Sequence, residues 1–279
     1  MKILMISLML LLFNQKSYSQ NQGNIDIAKI MYTENQILGS KILKEIYSKL
    51  NINVYFVDLP GFRAIEEVTQ GRVVAEVHRP FSFGEEHPML IRITPAINYM
   101  QLKAFSNNNS IKVDGWNSIS QYRIGIIKGS VYVEKATKNM PNVFSVNTLE
   151  QLIEMNLKDR IDLFITDEYN ALIILKRLKL SDKIKPLSLP LTGRIDLYHY
   201  INKNYKNIAD KVAVVVEKMN KSGELEALNK KLRTESIKMQ NSLCFFAIKI
   251  NFKKMKIVYK TNHFIYTDYS IIWRFEKYG

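Results

Sequence analysis

Polar and charged side chains stand at three points where a predicted strand ends. Ser130 follows Lys128-Gly129 between a strand and a helix, where glycine permits close backbone approach and free helical N–H groups can hold an anion. Asp167 closes an apolar strand and could pair with an ammonium group. Arg79 closes another, and its guanidinium can grip a carboxylate with two parallel hydrogen bonds. Serine and aspartate are also favoured helix N-caps, which leaves Ser130 and Asp167 a purely structural alternative.

Other kinds of site find no support in the sequence. Cys244 is the only cysteine, so an intramolecular disulfide and a thiolate metal cluster are excluded. The four histidines are dispersed, without the His-x-x-x-His spacing of a metal site, and the Gly-x-Ser-x-Gly pattern of hydrolases is absent. We therefore expect no metal, no cofactor and no enzymatic activity.

Alternating strands and helices would position these side chains. The first half of the pattern reads strand, helix, strand, helix, strand over residues 25–31, 36–50, 53–59, 62–70 and 72–78. A second unit repeats the alternation, with strands at 123–127, 143–146 and 161–166 and helices at 131–138, 148–158 and 168–178. Extended stretches at 89–103 and 185–201 flank the second unit, and helices at 208–219 and 224–232 follow. This order predicts an α/β protein with mainly parallel sheets.

The N-terminal residues predict export. Lys2 precedes an apolar run at 3–13, and Ser17-Tyr18-Ser19 forms a small-x-small pattern with cleavage before Gln20. The run is too short for a membrane span of roughly 20 residues. No cysteine near the cleavage site would carry a lipid, so residues 1–19 are interpreted as the signal peptide of a periplasmic protein. The alternative is an N-terminal helix packed in the core.

The net charge of +14 raises the possibility of nucleic-acid binding. Most lysines of the central body, however, stand beside glutamate or aspartate along predicted helices, which is typical of solvated helix faces, so no nucleic-acid partner is expected. Residues 243–279 differ, because they are rich in Lys, Tyr, Ile and Phe without caps or turn signals. Their composition is compatible with a disordered appendage, an added strand pair or a translated frameshift, and we expect function to end near Ser242.

Five segments in order carry a resemblance to a known family. They read GRVVAEVHR at 71–79, IRITP at 91–95, RIGIIKGS at 123–130, RIDLFITD at 160–167, and IADKV leading to MNKSGEL at 208–225. Over 26–232 the chain resembles the type II periplasmic solute-binding proteins, in the amino-acid-binding (family 3) group of ABC transporters. Two departures are visible: the Thr-x-x-Arg context is absent around Arg79, and Val74 replaces a common acidic residue.

The resemblance implies two lobes, formed by residues 20–103 with 200–242 and by residues 104–199, joined by two crossing strands. A small ligand, an amino acid or similar, would lie between them and be passed by a monomer to a membrane permease. Ser130 would contact the ligand carboxylate and Asp167 its ammonium group. At the positions of Tyr32 and Glu34, which end the first strand, family members often place an aromatic ring and a polar contact. Tyr99 would belong to the first crossing stretch.

Two alternatives share this architecture. One is a periplasmic sensory domain that signals to a partner. The other is a dehydratase-type enzyme in which Glu34 or Glu76 acts as the general acid.

Overall fold

Two separate sheets organise residues 24–250, which are the residues that the computed structural model describes; side chains are described for 24–238. The strands, in chain order, are β1 Ile25–Ile30, β2 Val54–Leu59, β3 Ala75–Pro80, β4 Leu90–Arg92, β5 Asn98–Met100, β6 Leu102–Ser106, β7 Ile124–Ile127, β8 Val143–Val146, β9 Leu163–Asp167, β10 Lys185–Pro190 and β11 Ile195–Asn202.

The helices flank these sheets. They are α1 Glu34–Ser48, α2 Gly61–Thr69, α3 Phe81–Glu86, α4 Trp116–Ile119, α5 Val131–Thr137, α6 Leu149–Leu157, α7 Glu168–Arg177, α8 Lys206–Lys221 and α9 Glu224–Ile250. A 3₁₀ turn, Lys203–Tyr205, precedes α8.

Each sheet combines parallel and antiparallel pairs. The first sheet has the order β2-β1-β3-β11-β4, with β5 also paired to β11, and only the β1–β2 and β1–β3 pairs are parallel. The second has the order β10-β6-β9-β7-β8, with parallel β7–β8 and β7–β9 pairs. The predicted two-lobed α/β fold is confirmed. The sheets are mixed rather than mainly parallel, because the strands beside the two crossings pair antiparallel with their neighbours.

The chain crosses between the sheets twice. It leaves the first sheet after β5, passes through Gln101 and enters the second sheet with β6. It returns through residues 191–194, between β10 and β11. The two crossings are close together, since the Gln101 Nε2 amide donates to the Thr192 carbonyl at 3.3 Å.

The core of the first lobe follows from helical periodicity. In α1, Leu38, Ile42 and Ile46 stand four residues apart and are fully or almost fully buried. Thr33 caps this helix by accepting a hydrogen bond from the Gln36 N–H. The same apolar cluster also contains Tyr169 and Ile173, which belong to α7 at the second lobe. The first lobe therefore shares its core with a helix that follows a strand of the second sheet.

Several boundaries differ from the sequence-based expectation. β3 begins at Ala75 rather than at Arg72, and the short helices α3 and α4 were not predicted, because four to six residues carry too little periodicity. α9 runs to Ile250 instead of ending at Leu232, and residues 233–250 contain no glycine or proline that would stop it. Residues 243–250 of the predicted tail therefore belong to this helix. The predicted signal peptide and residues 251–279 lie outside the described residues.

None of the helices within residues 24–250 is both long enough and apolar enough to cross a bilayer.

Candidate functional site

The carboxyl ends of strands from both sheets meet at the junction between the lobes. In the first lobe, β1, β2 and β3 are adjacent and end at Ile30, Leu59 and Pro80. In the second lobe, β7 and β9 are adjacent and end at Ile127 and Asp167. Open α/β sheets bind ligands outside the carboxyl ends of their strands. The junction divides into two parts, which we call the mouth side and the hinge side.

The mouth side comprises Gly61, Phe62 and Glu86 of the first lobe with Gly129 and Lys135 of the second. A Cβ atom placed on Gly61 would lie 3.7 Å from the Gly129 carbonyl oxygen, and one on Gly129 would lie 3.8 Å from Phe62 Cε2. Gly129 has a positive φ of 82°, a conformation that suits glycine. The Lys135 ammonium donates to the Glu86 carboxylate across the junction, although both side chains are about half exposed or more. The lobes therefore touch here mainly through exposed groups.

Arg79 lies just behind the mouth side, at the end of β3. Its Nε donates to the buried Glu76 carboxylate, and its Nη2 donates to the Gly61 carbonyl at 3.0 Å. Its guanidinium lies 5.0 Å from the Phe83 ring centre. Burial raises the pKa of Glu76 against the opposing effect of Arg79, and Glu76 Oε2 has no hydrogen-bond partner among the described residues. Arg79 is thus held rigidly, and it has N–H donors beyond these two contacts.

Ser130 precedes α5 on the opposite lobe. Its hydroxyl makes no capping hydrogen bond to the described helix, so the expected structural role as a side-chain N-cap is not realised. The neighbouring Gly129 N–H donates to the Glu134 carboxylate at 2.8 Å. One of the backbone donors that could hold an anion here is therefore already engaged by an acidic side chain of the protein.

The hinge side comprises Asn35, Gln36, His78 and Asn98 together with Asp167, and all five are buried. The Asp167 carboxylate accepts from the Gln101 N–H at 3.0 Å through Oδ1 and from Asn35 Nδ2 at 2.8 Å through Oδ2. Burial raises the pKa of Asp167, and these hydrogen bonds oppose that rise. Asp167 of the second lobe, which the sequence predicted to contact the ligand, thus accepts a hydrogen bond from an amide side chain of the first lobe.

Asn35 is itself fixed from several directions. Its Nδ2 also donates to the Tyr99 carbonyl at 3.1 Å, its Oδ1 accepts from Asn98 Nδ2, and its backbone N–H donates to Asn170 Oδ1 at 2.8 Å. Its carbonyl oxygen lies 3.1 Å from His78 Nε2. The chain thereby places one asparagine at the meeting point of α1, β5, β9 and α7.

Buried neutral histidine supports this arrangement. Gln36 Nε2 lies 3.4 Å from His78 Nδ1, so the tautomer with the proton on Nε2 lets His78 accept from Gln36 and donate to the Asn35 carbonyl. Burial lowers the pKa of His78 to about 4. His199 lies on β11, which pairs with the strand β3 that carries His78, and it is also buried. It accepts a hydrogen bond from Tyr47, and burial lowers its pKa to about 4.

Glu34 and Tyr99 border the hinge side. Glu34 accepts from Arg177 of α7 at 3.0 Å, and burial raises its pKa despite this partner. The Tyr99 ring has two guanidinium neighbours, Arg194 at 4.2 Å and Arg233 at 4.0 Å from its centre. Arg233, from α9, also donates to Asn98 Oδ1 and the Tyr99 carbonyl, both at 2.7 Å. These contacts attach the C-terminal helix to the crossing strand β5.

Exposed aromatic rings surround the junction. Tyr32, Phe62 and Phe81 follow the three adjacent strands β1, β2 and β3 and are 71%, 61% and 46% exposed. Tyr132, which follows Ser130 in the second lobe, is 40% exposed. Grouped aromatic exposure is costly in water and commonly marks a binding surface. Tyr32 thus follows a strand that ends at the junction, and its contact with a ligand stays a prediction.

The six predicted residues separate into two groups. Arg79 and Ser130 lie toward the mouth side, whereas Asp167, Glu34 and Tyr99 have contacts that bind the hinge side together. Tyr32 is an exposed ring at the end of β1. Sequence reasoning missed Asn35, Asn98, Arg233 and Phe62. Only Phe62 carried a signal, as an aromatic residue directly after the Pro60-Gly61 turn. Asp162, directly before β9, accepts hydrogen bonds from the Arg123 side chain and backbone N–H, which indicates a structural role.

Elsewhere, the described residues form a surface depression but no cluster of metal ligands. A surface depression of about 440 Å³ is lined only by residues of α9, including Lys230, Lys231 and Lys238, and has no facing wall from another element. Among the described residues, no group of three or more His, Cys, Asp or Glu side chains could hold a metal ion. The inter-lobe junction remains the candidate site.

Comparisons with known proteins support the fold. No protein-family profile matches the chain. An uncharacterized protein of Shewanella oneidensis is 28% identical over 176 residues, covering 60% of this chain and 65% of that protein. The chain thus matches slightly less than two thirds of that relative's length.

Solved structures resemble the chain more extensively. An amino acid ABC transporter substrate-binding protein of Streptococcus pneumoniae bound to L-arginine has a TM-score of 0.64 at 15% identity, covering 78% of this chain and 98% of that one. A mutant of an arginine-binding protein from T. maritima has a TM-score of 0.64 at 10% identity, with coverages of 77% and 97%. A histidine kinase sensor domain similar to periplasmic binding proteins has a TM-score of 0.64 at 12% identity, with coverages of 75% and 95%. The TM-scores show a shared fold.

Proposed function

We propose that this chain is an extracytoplasmic solute-binding protein that captures a small polar ligand between its lobes. The observation that carries the proposal is the meeting of strand ends from two sheets, with exposed aromatic rings and the restrained Arg79 beside them. Tyr32 and Phe62 would pack on the ligand, while Arg79 and Ser130 would donate to its polar end. Asp167, Glu34 and Tyr99 would complete the closed form from the hinge side.

Ligand binding would favour the closed arrangement of the lobes. The contacts of the mouth side are few and exposed, so they can separate while the buried hinge side persists. A ligand that touches both lobes stabilises the closed state by its differential affinity for the two states. The closed monomer would then deliver its ligand in the periplasm to a membrane permease of the ABC type.

A sensory role is the second candidate. It is favoured by the likeness to a histidine kinase sensor domain and by α9, which bonds to the crossing strand through Arg233 and packs against α7. A dehydratase has less support, because Glu34 and Glu76, its proposed general acids, are paired with Arg177 and Arg79. Neighbouring permease and ATPase genes would favour transport, and a kinase or cyclase gene would favour sensing.

Thermal unfolding in the presence of a small-molecule panel tests the binding proposal. The panel includes amino acids, small peptides, polyamines and carboxylic acids, and native mass spectrometry of protein from its own host identifies any retained compound. A ligand at about 100 times its Kd contributes about 2.7 kcal/mol, which raises Tm by several degrees in a protein of this size. A panel that leaves Tm unchanged, with no retained compound, would refute the proposal.

A matched pair of variants locates the site. Phe62→Ala should weaken binding of the identified ligand about tenfold, because one aromatic contact is lost. Tyr55→Ala removes a comparably exposed ring, 53% exposed on the edge strand β2, and should leave the affinity within about twofold. Equal losses in both variants would place the ligand elsewhere.

A further inference from the structure

The carboxylates around the junction already have partners within the protein. Their contacts are Glu34 with Arg177, Glu76 with Arg79, Glu86 with Lys135, Glu134 with the Gly129 N–H, Glu168 with Lys103, and Asp167 with Asn35 and the Gln101 N–H. At Asp167, where both oxygens accept hydrogen bonds, a ligand ammonium group would have to displace a partner. The charge pattern therefore decides which class of ligand fits.

Asp167 is the hardest of these carboxylates to free. Both of its oxygens accept hydrogen bonds at 3.0 Å or less, and its residue is 6% exposed. The hydrogen bond to Oδ2 comes from the Asn35 amide, a side chain of the first lobe. Asn35 in turn is held by Asn98, by the Tyr99 carbonyl and by Asn170, so moving it would break several buried hydrogen bonds.

The positive groups of the junction are less fully used. Arg79 donates through Nε to Glu76 and through Nη2 to the Gly61 carbonyl, and a guanidinium has five N–H donors in all. Lys128 is exposed in the loop beside Gly129 and adds a second cation. The Ser130 hydroxyl makes no capping bond to its helix and is a further donor. Donors for a carboxylate are thus present toward the mouth side, whereas both oxygens of Asp167 are occupied.

We propose that the ligand is a small carboxylic acid without an amino group, because Asn35 takes the place that a ligand ammonium would otherwise take on Asp167. This inference rests on the proposed binding function and narrows it from amino acids and similar molecules to their deaminated counterparts. The aromatic rings of Tyr32 and Phe62 would accommodate the apolar part of such an acid.

Matched acid pairs test the inference on the unaltered full chain. The pairs are propionate with L-alanine, glutarate with L-glutamate, and 3-phenylpropionate with L-phenylalanine, each measured by thermal shift and calorimetric titration. We expect at least one acid to bind, with at least tenfold higher affinity than its amino counterpart. Equal or tighter binding of the amino acids would overturn the inference and leave the binding function standing.

The remaining outcomes separate the two proposals. Binding of some other compound of the panel but of none of these acids would overturn the acid class alone. A complete absence of ligands from the panel and from native mass spectrometry would overturn the binding function and the inference with it.

Variants of Asn35 provide a second measurement. Asn35→Ala should raise the affinity for the amino member of the preferred pair at least tenfold, because Asp167 Oδ2 is then free to accept from an ammonium group. Asn170→Ala is the matched control: it removes the acceptor of the Asn35 backbone N–H but keeps the Asn35 amide, so the preference for the acid should persist. An unchanged preference in a folded Asn35→Ala protein would contradict the role given to Asn35, and the wild-type pairs decide the question if that variant does not fold.

Discussion

The hinge side and the mouth side join the same two lobes by different physical means. On the hinge side, buried amide, carboxylate and imidazole groups of the protein form hydrogen bonds with one another. The mouth side uses an exposed ion pair and close approach of two glycines. Buried polar groups are costly to leave unpaired, whereas exposed ion pairs contribute little. The contrast indicates that the hinge side fixes the lobe arrangement more strongly than the mouth side does, as the proposed opening for a ligand requires.

The strongest test of this contrast removes a central hinge-side group. Asn98→Leu deletes the donor to the buried Asn35 Oδ1 and one of the two acceptors of Arg233 Nη2. We expect a loss of roughly 3 kcal/mol in the free energy of unfolding, measured by urea denaturation. Asn117→Leu, at an exposed position, is the control and should change it by less than about 0.5 kcal/mol. Similar losses in both variants would contradict the importance of the hinge side.

Acid should weaken the hinge side next. The pKa of His78 is lowered to about 4 by burial, from about 6.5 in an unfolded chain. The unfolded state therefore binds the proton more readily, so the contribution of His78 is fully present above about pH 6.5 and is lost as pH falls toward 4. We expect a loss of about 2 kcal/mol from this histidine at pH 4.5.

A variant isolates that histidine from other titrating groups. Burial raises the pKa values of Asp167 and Glu76, and this acts in the opposite direction, because protonation then favours the folded state. His78→Gln should therefore be compared with wild type at pH 7 and at pH 4.5, and the variant should lose about 2 kcal/mol less between the two values. If both proteins lose the same free energy, His78 does not titrate as the burial implies.

The smallest effect is expected at the mouth side. Glu86→Gln removes the charge that faces Lys135, but both side chains are so exposed that the free energy of unfolding should change by less than about 0.5 kcal/mol. The change should shrink further in 1 M salt, where exposed charges are screened. A loss of several kcal/mol in chemical denaturation would mean that the mouth side also fixes the lobes.

Much of the fold could be predicted from local patterns. The four-residue spacing of Leu38, Ile42 and Ile46 predicted the buried face of α1, and the apolar run before Asp167 predicted β9. The length of α9 was missed because residues 233–250 show no clear apolar periodicity, although they contain no glycine or proline that would end a helix. The mixed sheets were missed because pairing direction depends on which strands become neighbours, and local alternation does not encode that.

The candidate site, too, could be predicted from the sequence only in part. Asp167 and Arg79 stood out because charged residues at the ends of apolar strands are unusual in type and position. Asn35 and Asn98 did not, since an asparagine has no charge and is common at helix starts and turns. Their partners lie 132 and 135 residues away in the chain, at Asp167 and Arg233, so only folding brings the hydrogen bonds into being.

The sequence by itself determined the alternating elements, the buried face of α1 and the residue types at the strand ends, because these depend on spacing along a few neighbouring residues. The tertiary structure decided which charged side chains pair with one another. Hydrogen bonding and charge pairing act over a few ångströms in space, so whether Asp167 meets an amide of its own chain or an ammonium of a ligand is settled only when the two lobes come together.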